Sequence, residues 1–233
     1  RSIITSNRLN EEIINNSIKL AKLSKPDESF YGLPGENKKN NIKGLYSKRI
    51  VDANSEDIAK AVKDFLNQTK KIKITEGDFK IGVRDFSVVN SEGVNLNQKT
   101  TNFVLDVDVG YHKNGKTSSY FDGICSRDFI KLDKFAKHIT NKTLFYLNRK
   151  EFKGEIEGVV LMPDVLNGLF EDALSHNFNV LAFKNKDCLF DKTGDKIISD
   201  KINITDDAKL EKGFSSYGFD YEGSLSQTTE IVK

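Results

Sequence analysis

Cysteine is nearly missing. Cys125 and Cys188 are the only two, and they stand far apart in the chain. They form neither a zinc-ribbon spacing nor a disulfide framework, which fits a reducing compartment. Histidine occurs only three times, as His112, His138 and His176. Charge of one sign is missing too: 36 Lys and Arg against 34 Asp and Glu leave a net charge of +2. The basic clusters are short, Lys38-Lys39 and Lys70, Lys71 and Lys73. Without a clustered basic face there is no electrostatic case for nucleic acid. No apolar run approaches the ~18 residues of a membrane span, and the N-terminus has no signal-peptide pattern. No membrane association is expected, and a cytoplasmic location is.

What remains is an ordinary globular composition, 37% hydrophobic and 30% charged in 233 residues. A chain of that length buries about 70% of its unfolded surface on folding. A first helix is predicted after Ser6 or Asn7, with Leu9, Ile13, Ile14, Ile18 and Ala21 at helical spacing. A long loop holding Pro26, Gly32, Pro34 and Gly35 follows. A second helix is expected from Asn54 or Ser55, buried through Ile58, Ala61, Val62, Phe65 and Leu66. A β meander comes next. Its clearest turn is Asn114-Gly115, and Phe103, Leu105, Val107, Val109 and Tyr111 alternate toward a core. A third helix over about 133–147, a short strand "GVVLMP" and a helix containing "LFEDALSH" (169–176) complete the pattern. Strands that cluster rather than alternate with helices predict an α+β fold, with an antiparallel meander, flanking helices and then the start of a second mixed α/β region. The expected division is 1–150 for an N-terminal α+β domain and 151–233 for the beginning of a C-terminal one. Arg1 in place of Met and the uncapped β-type run "TTEIVK" at the other end lead us to expect a fragment of a longer polypeptide.

Several stretches in this order resemble the TldD/PmbA family, also called modulator of DNA gyrase, and look more like its PmbA (TldE) branch. They are "LAKLSKPDESFYGLP", "NIKGLYSKRIVDANSEDIAKAV", "FKIGVRDFSVVNSEGVNLNQKTT", "SSYFDGICSRDF", "GVVLMPDVLNGLFEDALSH" and "FDYEGSLSQTTEIV". The resemblance implies a cytoplasmic two-subunit peptidase acting on unstructured peptides. In it the TldD-type subunit binds zinc through a His-Glu-x-x-x-His helix, with a further ligand from the C-terminal half. The PmbA-type subunit shares the fold without that motif.

Zinc hydrolysis needs three protein ligands, an open position for water and a general base. With Glu171 in the glutamate position, Phe170 stands where the first histidine would be and Ser175 where the second would be. His176 comes one residue late. On an ideal helix Glu171 and His176 point about 140° apart, whereas Asp172 and His176 lie about 40° apart. Asp172 and His176 are therefore the better-placed pair, for a peptide contact or for two metal ligands. Two ligands alone bind weakly, and a solvated surface is the simpler reading. Asp106 and Asp108, about 6.6 Å apart along one strand, read as a solvated face. Cys125 reads as a small core residue, and Cys188, near Lys184 and Lys186, as a thiol without function.

The resemblance then implies a non-catalytic subunit with no cofactor in this chain. Zinc would sit in a paralogous partner, and the assembly would be a dimer with a TldD-like paralogue or a homodimer that holds unfolded peptide. Two other readings stay open: an intact metallopeptidase whose ligands come from a C-terminal part, and a stand-alone peptide-binding or scaffold protein.

Overall fold

The computed structural model describes residues 3–8, 10–26, 30–189, 194 and 196–232, with the backbone alone at positions 172 and 173. Helix α1 spans Glu11–Leu23, α2 Lys48–Val51 and α3 Ser55–Gln68. Strands β1 (Lys73–Val89), β2 (Asn95–Lys113) and β3 (Lys116–Ser126) form one antiparallel sheet in that order. Helix α4 (Asp133–Phe145) runs into a 3₁₀ turn at Tyr146–Asn148. Beyond it come α5 (Pro163–Leu169), α6 (Val180–Lys184) and a two-stranded sheet of β4 (Ile204–Asp207) and β5 (Thr228–Val232). This is the predicted α+β architecture with its meander. Among the described residues no helix is long and apolar enough to cross a membrane.

Local chemistry sets the boundaries. Asn54 caps α3 by accepting from the Glu56 and Asp57 N–H groups, and Asp57 returns a bond to the Asn54 N–H. This reciprocal box satisfies helix donors that would otherwise be orphaned. The β2–β3 hairpin turns on Asn114 (φ 52°) and Gly115 (φ 74°), the left-handed pair that a two-residue turn needs. Helix α1 begins later than predicted. Asn10 supplies the cap, and Ser6 is engaged with its own neighbour Arg8. No described residue of α1 is buried, and Leu9 lies outside the described residues. The "GVVLMP" stretch forms no strand. Val160 is 91% exposed, and the chain runs on to Pro163 at the first turn of α5.

Strand β2 is the spine of the molecule, and it changes faces. Phe103, Leu105, Val107 and Val109 are buried on one face against Phe65 of α3 and Phe135, Ala136 and Ile139 of α4. Toward its start, Leu96 joins Val94 and Phe219 in a second cluster with Phe86 and Val88 of β1. Alternation places odd and even residues on opposite faces, so the sheet buries one face at one end and the other face at the other. The change comes at Thr100 and Thr101, both fully buried. Cys125 pairs with Val104 on the outer face of the first core and is exposed, contrary to its expected place in the core. Asp106 and Asp108 lie on that same outer face, opposite Asp78 and Glu76 of β1.

Arg127, just past β3, fastens the switch. Only 3% exposed, it donates from Nε to the Gly213 carbonyl, from Nη1 to Thr101 and from Nη2 to Ser216, each at 3.2 Å. Its guanidinium lies 5.3 Å from the Phe214 ring centre and 5.2 Å from that of Tyr217. The Thr101 hydroxyl donates to the Arg127 carbonyl at 2.5 Å, and the Thr101 N–H donates to the Leu45 carbonyl at 3.0 Å. Lysine has no planar fork and cannot reach three carbonyls at once. Arg127→Lys is expected to cost about 3 kcal/mol, because buried carbonyls lose charged donors. Chemical denaturation monitored by circular dichroism checks this.

Candidate functional site

The stretch that carries the family-like motif is less regular than a single helix. Helix α5 ends at Leu169, Phe170–Leu174 forms a π-turn, and Ser175–Phe178 tightens into a 3₁₀ turn. The Ser175 N–H reaches back five residues to the Phe170 carbonyl. A π-turn takes one residue more per turn than an α-helix. The ideal angles used for 170–176 therefore do not hold there, and a residue five places on takes the phase that a residue four places on normally has.

The side chains at the motif positions are engaged elsewhere. The Phe170 ring stacks on Phe178 with centres 6.1 Å apart and 28° between planes. Ser175 donates its hydroxyl to the Glu171 carbonyl at 2.6 Å. His176 Nε2 lies 3.1 Å from the Asp187 carbonyl oxygen and 3.4 Å from Asp187 Oδ2. It thereby ties the motif to the loop after α6. Glu171 is exposed, and the Asp172 side chain, half of the proposed contact pair, lies outside the described residues. Phenylalanine offers zinc no lone pair, and among the described residues no three His, Cys, Asp or Glu side chains gather as a metal would require. The residues present here do not fit zinc.

A polar cluster that the sequence reading missed lies at the start of α5. Tyr120 and Asp122 project from β3, His138 and Lys142 from α4, and Asp164 from the first turn of α5. The Tyr120 hydroxyl lies 3.4 Å from Asp122 Oδ2, 3.4 Å from Asp164 Oδ2 and 3.5 Å from His138 Nε2. His138 Nε2 approaches Asp122 Oδ2 at 3.2 Å, and Lys142 Nζ approaches Asp164 Oδ2 at 3.3 Å. Beside the cluster is a cleft of about 430 Å³, whose walls include Ser119, Phe121, Tyr146 and Val165.

Burial, joined by the negative charge of Asp122 and Asp164, pushes the Tyr120 phenol well above its ordinary value. A phenol held in that state stays protonated and serves as a hydrogen-bond donor, not as a base or nucleophile. Burial works to raise the Asp164 carboxyl, but the Lys142 hydrogen bond and neighbouring backbone N–H groups outweigh it, so its pKa is lowered. The arrangement is a latch that joins β3, α4 and the first turn of α5. Two signals for it are in the sequence: Tyr120 and Asp122 alternate onto one strand face, and His138 and Lys142 are four apart on one helix.

A carboxyl with a lowered folded pKa contributes stability above its unfolded value near 3.9, and that stability is lost as pH falls. Asp164→Asn is expected to loosen α5 by about 0.5–1 kcal/mol, the scale of a partly exposed pair. Hydrogen exchange should quicken across 163–169 and stay unchanged in β2. Acidifying the unaltered protein below about pH 4 should reproduce the effect.

Residues 154–233 match the family model described as the PmbA/TldA metallopeptidase C-terminal domain. The chain is 26% identical to Metalloprotease MJ0996 of Methanocaldococcus jannaschii over 99% of its own length and 54% of that protein's. It is also 26% identical to Metalloprotease PmbA of Escherichia coli O157:H7, over 75% of this chain and 40% of that one. It spans about half the length of the curated relatives it matches. The fold is similar to that of TldE from Thermococcus kodakarensis, with a TM-score of 0.72 at 21% identity over 94% of this chain and 51% of that one. It is also similar to that of a Thermotoga maritima protein named for modulation of a DNA gyrase, with a TM-score of 0.80 at 14% identity over 96% and 52%. These matches follow the order of motifs along the strands and helices above, and they support the resemblance to the TldD/PmbA family.

Proposed function

We propose that this chain is a zinc-free partner subunit of a TldD/PmbA-type metalloprotease complex, of the PmbA (TldE) kind. The observation that carries the reading is the motif helix itself. Phe170 and Ser175 occupy the two histidine positions, and Phe170 is packed on Phe178. A ligand position has become part of an apolar contact. His176 does not restore the site, because it is turned toward Asp187.

On this reading the catalytic zinc belongs to a TldD-like paralogue that keeps both histidines, and this subunit supplies scaffold and peptide contacts in a cytoplasmic assembly. The latch of Tyr120, Lys142 and Asp164 suits such a role. It holds the start of the motif helix through protein contacts alone, so the helix needs no metal to stay in place.

Elemental analysis of the protein at its natural length, purified without chelator, tests the assignment. The expected result is far less than one zinc per chain, unchanged by His176→Ala. One zinc per chain, lost on that substitution, would overturn it. Mixing with the paralogue should yield a stable complex whose chelator-sensitive peptide cleavage survives His176→Ala in this subunit.

A further inference from the structure

We draw no further inference here: the strongest candidate, the cleft of about 430 Å³ beside β3 and the first turn of α5, belongs to the Tyr120 latch already described, and nothing in the structure shows what covers it.

Discussion

The fold depends on a buried cation that has no carboxylate among the bonds found for it. Arg127 is held by three carbonyls and two aromatic rings instead. Each contact comes from a segment distant in sequence, so one guanidinium fixes the position of β2, the end of β3 and residues 213–217 together. Desolvating a charge costs several kcal/mol unless nearly every donor is satisfied, and the planar fork of arginine makes that possible here. Tyr217 shares the arrangement from the other side. Burial works to raise its pKa, but the hydrogen bonds and charge of Arg84 and Arg127 outweigh it, and its pKa is lowered. The C-terminal segment is thereby locked onto the meander. Asn40 adds to the lock: its N–H donates to the Gly218 carbonyl, its side-chain amide donates to the Ser226 carbonyl, and Gln98 Oε1 accepts from the Gly218 N–H.

This clamp stands where β2 changes faces, and the coincidence has a physical reason. A strand with period two can bury only one face against one core. To serve two cores it must bury two successive residues, and Thr100 and Thr101 are those residues. Their small, branched side chains tolerate burial next to backbone better than larger ones would. Of the two buried hydroxyls, that of Thr101 donates to the Arg127 carbonyl while receiving the Ser47 N–H, and that of Thr100 has no partner among the described residues. The alternation of Phe103 through Val109 was legible in the sequence because it is local and periodic. The second core was not, because Leu96 is buried and Val88 half-buried against Phe219, more than 100 residues away. Cys125 was misread for a related reason. Its neighbours are apolar, but its pairing with Val104 decides its face, and pairing is not written in a single strand.

The candidate site divides in the same way. Phe170 was legible as a non-ligand, since a side chain without a lone pair excludes coordination whatever the backbone does; Ser175 was legible only as a departure from histidine, and the structure shows its hydroxyl donated to the Glu171 carbonyl. The π-turn over Phe170–Leu174 was not legible, because nothing in "FEDAL" distinguishes an i+5 bond from an i+4 bond. The Tyr120 latch escaped because its five side chains come from three elements, and no window of sequence contains them. Only its halves, Tyr120 with Asp122 and His138 with Lys142, sit at spacings that sequence periodicity recognises.

These two parts of the site explain each other. A metal-binding helix is normally fixed by its metal, and losing the ligands removes that constraint. Here the constraint has other sources. Asp164 is held at the N-terminal end by Lys142 and Tyr120, and His176 is tied at the far end to Asp187. Between them the π-turn takes up one residue, and Phe170 packs on Phe178. A helix anchored at both ends by protein groups can give up its ligands without losing its place. At position 170 the phenylalanine supplies a packing contact and can supply no coordination bond. That is the physical sense in which the stretch holds its place without histidines at positions 170 and 175.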